Sequence, residues 1–245
     1  MEQRENGEIQ TFGWDAITKE CERVYPDQKN PKQYGTLIKW CLGGEDPLDG
    51  ISIYDGGEYW HFVTFGLTDL YEKESDEKEI SGYGMEFTFK LKKDAYADEE
   101  AEILCICSIL QQIARITFTS GELFQAYEYI YTGQKQGIDV QRQSNITGFI
   151  TIPDKELRTI ETPNGTVSFV ALIGVTNSEL LAVHERGVTV EELYHKLGSD
   201  MPYLFVKSWL PNTKINRTGT RSADDSADHV FFISFHLVQY CTSKK

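Results

Sequence analysis

The residues best suited to chemistry are a histidine and two acids in the first half of the chain. His61 lies in the apolar stretch YWHFVTFGLTDLY (59–71), which also contains Asp69, and Glu86 lies in the alternating stretch GYGMEFTFKLK (82–92). An imidazole oriented by a carboxylate is half of an acid–base pair. A hydrolase that uses His61 with Glu86 or Asp69 is therefore one hypothesis.

The sequence lacks the other parts of a catalytic set. It contains no G-x-S-x-G nucleophile elbow and no H-E-x-x-H metal motif. A buried histidine bonded to a carboxylate is also an ordinary satisfied polar group, because an unpaired one costs about 1–3 kcal/mol. We therefore predict that His61 and Glu86 form a structural polar pair in the core, and that the chain is not an enzyme and holds no metal or cofactor.

Two strands must position this pair. The residues of 59–65 are apolar on both faces, which is typical of an inner strand covered on two sides. The residues of 82–92 alternate between apolar and polar, which is typical of a neighbouring strand. Antiparallel pairing of the two strands would allow His61 and Glu86 to meet across the sheet.

Helices are expected on both sides of these strands. Apolar residues recur at helical spacing from Trp14 to Tyr25 and again from Asp98 to Phe118. Two further helices should begin with Thr-x-x-Glu capping boxes, at Thr176 and at Thr189, the first of them ending at Gly187. These elements predict an α+β fold with a mixed, largely antiparallel β-sheet flanked by α-helices.

Charge and cysteine usage limit the partners and the compartment. The 38 acidic residues exceed the 24 basic ones and give a formal charge of -14, which repels nucleic acid and anionic membranes and favours a basic protein partner. The five cysteines form no C-x-x-C pair, as expected in a reducing compartment. No secretion signal is evident at the N-terminus, and no apolar run approaches about 20 residues. We expect a cytoplasmic protein.

Five stretches of the chain together resemble the Suppressor of fused family. They are GWDAITKECERVYPDQKNP, LGGEDPLDGISIY, HFVTFGLTDLY, SGYGMEFTFKLK and TPNGTVSFVALIGVTNSELL, and they occur in the family's order between residues 13 and 206. The resemblance implies an α+β domain that acts by holding another protein rather than by catalysis. In animal members two lobes clasp a peptide that joins as an added strand, whereas stand-alone bacterial members are proposed as immunity proteins that neutralise toxins.

The resemblance also implies a partner-binding surface. The family has a tyrosine near the end of the buried helix and an aspartate some twelve residues later, and these positions correspond to Ile116 and Glu128. The acidic character is kept, but the phenol is lost, so the identity of the partner does not carry over.

The resemblance also indicates how the chain is divided into domains. We predict one Suppressor of fused-like domain at 13–210, followed at 211–245 by a mobile loop (212–229) and a C-terminal strand that pack on the same domain. The leading hypothesis is a non-catalytic module that binds a basic toxin domain or a short peptide segment. The alternatives are the hydrolase and a homo-oligomeric scaffold that pairs its edge strands.

Overall fold

The computed structural model describes residues 10–93, 98–132, 134–185, 187–200 and 230–232. The predicted domain boundary at 210 and the predicted loop at 212–229 lie outside these residues. Of the predicted C-terminal strand, the described part is Val230–Phe232, and its backbone pairs with the main sheet.

The described residues contain four helices and nine strands. The helices are α1 (Phe12–Val24), α2 (Glu99–Ser120), α3 (Asn177–His184) and α4 (Val190–Asp200). The strands are β1 (Lys32–Gly35), β2 (Gly50–Asp55), β3 (Tyr59–Phe65), β4 (Ile80–Lys92), β5 (Tyr129–Tyr131), β6 (Ile146–Pro153), β7 (Ile160–Thr162), β8 (Gly165–Thr176) and β9 (Val230–Phe232). A short 3-10 helix, Trp40–Leu42, precedes β2.

All nine strands belong to one sheet. Eight of them follow the order β1-β2-β3-β4-β8-β6-β5-β9, and β7 pairs with the first part of β8. The pairs β4–β8 and β5–β9 are parallel, and the others are antiparallel. The predicted α+β fold with a mixed, largely antiparallel sheet is confirmed.

β3 is the inner strand that its apolar faces predicted. It pairs antiparallel with β2 on one side and with β4 on the other. Phe62 packs in the core cluster that contains the apolar face of α2, whereas Val63, its neighbour, packs in the cluster that contains Ile17 and Cys21 of α1. Successive side chains of a strand face opposite ways, so helices on both faces of the sheet explain the apolar run.

The helix ends follow their local chemistry. The Asp98 side chain caps α2 by accepting a hydrogen bond from the backbone N–H of Ala101, and α2 ends at Gly121 in the left-handed conformation. The predicted capping box of α3 is present, with Thr176 and Glu179 bonding each other's backbone. The α3 helix ends at His184, earlier than the predicted Gly187.

The helix α2 lies at the centre of the main core. Eleven of its residues are buried, and eight of them belong to the core cluster that also contains residues of β3, β4 and β8. By length and composition α2 could also cross a membrane, but half of its apolar window is buried within the structure. Burial of this kind is ordinary for a core helix that is apolar on most of its circumference.

Candidate functional site

The structure does not bring His61 and Glu86 together. The backbone register pairs His61 with Lys90 of β4. Glu86 lies four residues away from Lys90 along that strand, a distance of roughly 14 Å at about 3.4 Å per residue. Both side chains are fully buried, but the predicted pairing is wrong because the register places Glu86 four residues from the position opposite His61.

Glu86 instead anchors the turn that follows β3. Its carboxylate accepts hydrogen bonds from the hydroxyl groups of Thr64 and Thr68, both at 2.7 Å, and from the backbone N–H groups of Gly66 and Thr68, both at 3.0 Å. Burial raises the pKa of Glu86 to about 7, against the opposing effect of these four donors. The residue holds a turn and has no contact with an imidazole among the described residues.

The partners of His61 come from distant parts of the chain. Its Nδ1 atom lies 2.7 Å from the hydroxyl of Tyr25, which follows α1. Its Nε2 atom lies 3.3 Å from Oδ2 of Asp154, within ion-pair distance but off the axis of a good hydrogen bond. Glu156 Oε2 is 3.5 Å from Nδ1. We call Tyr25, Tyr59, His61, Lys90, Asp154 and Glu156 the His61 cluster.

Asp154 is held from several directions at once. Its Oδ2 accepts a 2.6 Å hydrogen bond from Thr88 of β4, and its Oδ1 accepts the backbone N–H groups of Glu156 and Leu157. Burial opposes ionisation, but the contact with His61 and the neighbouring positive charge of Lys90 hold the pKa of Asp154 well below its usual range. The carboxylate is therefore an ionised, fully engaged member of the core.

Glu156 connects the His61 cluster to its aromatic rim. Its Oε1 atom accepts a 2.7 Å hydrogen bond from the Tyr59 hydroxyl and lies 3.1 Å from the Lys90 ammonium group. The Tyr25 hydroxyl lies 3.2 Å from its other oxygen. Burial would raise the pKa of Glu156, but the contacts with Tyr59 and Lys90 lower it overall.

The His61 cluster joins three elements, and its inner members, His61 and Asp154, are shielded from solvent. Arg23 of α1 pairs with Glu20 and donates to the backbone carbonyl of Glu156, and Glu20 accepts the backbone N–H of Arg158. The segment 154–158 is thereby fixed between α1 and the sheet. The side chain of His61 is 0% exposed and that of Asp154 is 1% exposed. The cluster has the components of acid–base chemistry, but its imidazole is not exposed to solvent.

The sequence analysis did not predict that Asp154 and Glu156 lie beside His61. Both come immediately after β6, in the stretch IPDKEL that begins at Ile152. Acids that follow the end of a buried strand are a usable signal, because strand ends are where polar side chains gather. The signal does not reveal which histidine lies opposite them.

Asp69, the other proposed partner of His61, belongs to a separate turn. Its Oδ2 atom accepts hydrogen bonds from the Ser75 hydroxyl at 2.7 Å and from the backbone N–H of Gly82 at 2.8 Å. Lys73 lies 3.4 Å from the same oxygen. Burial opposes ionisation of Asp69, but the bonds from Ser75 and Gly82 lower its pKa. Within the described residues, Asp69 has no contact with His61. Neither of the carboxylates that the hydrolase hypothesis pairs with His61 is therefore close to it.

The two residues implied as partner-binding lie around the loop that follows α2. Ile116 is half-buried on the last turns of α2, against the main core. Glu128 is half-exposed directly before β5 and accepts the backbone N–H of Gln125 at 2.8 Å. Between them, Leu123 and Tyr127 are exposed. Their role in binding stays a prediction.

Comparison with known proteins assigns the family. The family model described as Suppressor of fused protein (SUFU) matches residues 44–207, which is more than half of the chain. The chain belongs to the Suppressor of fused family. The Suppressor of fused homologs of Homo sapiens and Mus musculus are each 34% identical to it over 181 residues. That match covers 69% of this chain but 36% of either relative, so the chain spans about a third of their length.

Solved structures agree with this assignment. A chain in the Sufu-Fu complex crystal structure is similar with a TM-score of 0.70 at 29% identity, over 86% of this chain and 93% of that one. Drosophila Suppressor of Fused has a TM-score of 0.69 at 29% identity, over 84% of this chain and 52% of that one. The Suppressor of fused fold thus extends over most of the described residues.

Proposed function

We propose that this chain is a non-catalytic module that binds another protein. The observation that carries the proposal is the burial of His61 and Asp154, whose imidazole and carboxylate are both engaged in contacts within the core. Membership of the Suppressor of fused family supports it, since a related chain was crystallised in a complex between two proteins.

The proposal extends to the kind of partner. A formal charge of -14 favours a basic protein and accelerates its encounter with the chain at low salt. We propose that the partner is a basic toxin domain and that the chain is its cytoplasmic immunity protein. Cys21, Cys41, Cys105 and Cys107 form no disulfide among the described residues, which fits a reducing compartment.

Co-expression tests this proposal directly. A basic toxin domain encoded beside this chain should arrest growth when it is expressed alone, and co-expression of the chain should restore growth. The two proteins should co-purify at low salt, and the association rate should fall as salt is added because the attraction is screened. Growth arrest that persists despite abundant folded chain, with no co-purification, would contradict the proposal.

A matched control separates binding from catalysis. A His61→Gln variant keeps a polar side chain in the cluster and removes the imidazole. If the chain acts by binding, a folded variant should protect cells as well as the unmodified chain does. Loss of protection in a variant that folds to normal yield would instead favour an enzyme.

A further inference from the structure

A cleft of about 500 Å³ lies on the surface at the C-terminal end of α2. Its walls come from the 3-10 helix around Trp40, from the last turn of α2 at Phe118, from residues 66–75 after β3, and from Tyr83 at the start of β4. We call it the Trp40 cleft. It is separate from the His61 cluster, since none of the six residues of that cluster lines it.

One wall of the Trp40 cleft is aromatic. The rings of Trp40 and Phe118 meet edge-to-face with centroids 5.8 Å apart, and Phe118 meets Tyr83 in the same way at 5.2 Å. All three side chains are only half-buried. A surface built in this way can accept a bulky apolar side chain, because aromatic walls provide large contact areas at little entropic cost.

The chain around Trp40 exposes further apolar surface. Leu37 is fully exposed, Ile38 is 58% exposed and Leu42 is 76% exposed. Single exposed apolar residues are ordinary, but three of them within six positions beside an aromatic cleft are typical of an interaction surface. The apolar surface therefore continues beyond the cleft, as an extended ligand would require.

The positive charges at the cleft are paired with acids of the same chain. Lys39 lines the cleft and lies 3.0 Å from Asp49 and 3.7 Å from the centre of the Tyr71 ring. Lys73 is not part of the lining, and its ammonium group lies 3.4 Å from Asp69. These contacts leave little positive charge to face a ligand.

Two acidic side chains on the rim of the Trp40 cleft are available to attract a ligand. Glu72 and Glu74 line the cleft and are exposed. Neither carboxylate has an ion pair or hydrogen bond within the part of the chain that the structure describes. The rim is therefore negative, and its charge is complementary to lysine and arginine side chains.

We propose that the Trp40 cleft is the docking site for an extended segment of a partner protein, with a bulky apolar side chain flanked by lysine or arginine. The apolar side chain packs against the aromatic wall formed by Trp40, Phe118 and Tyr83, and the basic side chains face Glu72 and Glu74. This inference rests on the proposed function, whose partner is a basic protein, and it assigns the part of that partner that is recognised.

Cys41 supplies a reporter inside the cleft. It lines the cleft and is exposed, whereas Cys21, Cys105 and Cys107 are buried. In a Cys241→Ser background, alkylation of the full-length chain by iodoacetamide therefore reports on Cys41. The probes are the peptide KRAWRK, the anchor-free peptide KRAAKR and the charge-reversed peptide EDAWDE, each with a fluorescent label for anisotropy.

The expected results are specific to the cleft. KRAWRK should bind and protect Cys41 from alkylation, and KRAAKR should bind about tenfold more weakly because it lacks the apolar anchor. EDAWDE should neither bind nor protect. The proposal is wrong if KRAWRK binds without protecting Cys41, or if both basic peptides bind equally.

Matched variants locate the site. Trp40→Ala should weaken binding of KRAWRK about tenfold, and the pair Glu72→Gln with Glu74→Gln should weaken it up to about fivefold at low salt. The control pair is Glu22→Gln with Asp27→Asn, which removes the same charge from exposed positions away from the cleft. Equal weakening by the control pair would show attraction to net charge alone and would overturn the proposal.

Other occupants would be recognised by the same reporter. Protection of Cys41 by the apolar dye anilinonaphthalene sulfonate but not by KRAWRK would indicate a small-molecule site. Protection that grows with the concentration of the chain alone would indicate contact between two copies. Either result overturns the proposal.

The docking site and the proposed toxin-neutralising function can be tested independently of each other. A Trp40→Ala chain that folds and still rescues cells from the toxin as well as the unmodified chain does would contradict the docking site and leave the binding function intact. Protection of Cys41 by KRAWRK together with failed rescue would support the cleft and contradict the toxin-neutralising function.

Discussion

His61 Nε2 and Asp154 Oδ2 lie 3.3 Å apart, with both side chains sealed from solvent. The contact joins the inner strand β3 to the segment that follows β6. Breaking a buried pair of this kind leaves one charge without compensation. The stability of the fold should therefore depend on this contact more than on any exposed histidine.

Replacement of His61 by alanine tests that dependence. His61→Ala removes the contacts with Tyr25 and Asp154 and should lower the free energy of unfolding by about 3 kcal/mol. Urea denaturation measures the change. The control is His195→Ala, because the His195 side chain is 73% exposed, and it should shift stability by less than about 0.5 kcal/mol. Equal effects of the two substitutions would contradict a structural role for His61.

Glu86 should make the protein less stable as the pH rises from about 4.5 to 7. Its pKa is raised from 4.5 to about 7 by burial, so in this window the folded state binds more protons than the unfolded state does. Stability then falls as pH rises. The difference corresponds to about 3 kcal/mol across the window. Glu102 acts in the same direction, since burial also raises its pKa to about 7.

Glu86→Gln should flatten this part of the stability profile. The amide oxygen can accept the backbone N–H groups of Gly66 and Thr68, and the amide nitrogen can donate to Thr64. Urea titrations at pH 5 and 7 should therefore differ less for the variant than for the unmodified chain. A variant whose stability falls with pH as steeply as that of the unmodified chain would show that Glu86 does not cause the slope.

Asp154 should make the protein less stable as the pH falls into the acid range, which is opposite to the effect of Glu86. Its pKa is lowered in the folded state, so its stabilising contribution is complete above the usual value of 3.8 and is lost as pH falls through the lower, folded value. Asp154→Asn should be less stable at pH 7 and should lose less stability between pH 5 and pH 2. Thermal unfolding followed by circular dichroism over that range checks both parts. Parallel acid profiles for the two chains would be the contrary result.

Two glycines should respond to alanine with opposite signs. Gly121 ends α2 at φ 75, and a Cβ atom there would meet nothing within 4 Å, so Gly121→Ala costs only backbone strain, about 1 kcal/mol. Gly198 lies within α4, also in open space, with φ outside the left-handed region. Gly198→Ala should stabilise the protein by about 0.5–1 kcal/mol. Melting temperatures that move in the same direction for both variants would contradict the assigned helix ends.

The fold was predictable where the deciding signals are local. The two apolar faces of 59–65 identified the inner strand, and the Thr176 capping box identified the start of α3, because both depend on neighbouring residues. The family resemblance extended these elements to a whole architecture, which the comparisons confirm.

The candidate site was only partly predictable. The burial of His61 followed from its apolar strand, but its partners Tyr25 and Asp154 are brought to it by helix packing and by the chain's path after β6. No spacing in the sequence encodes those contacts. The predicted pairing of His61 with Glu86 is wrong although the two strands are antiparallel neighbours, as predicted. The register decides which side chains meet across the strands, and it places Lys90 opposite His61.

The most direct test of the account is the affinity of folded His61→Gln for the basic toxin domain. If the chain acts by binding and the imidazole only supports the fold, calorimetric titration should give the same Kd for this variant and for the unmodified chain. A variant that folds normally but neither binds nor protects would contradict the account, as would turnover of a small molecule that disappears with His61.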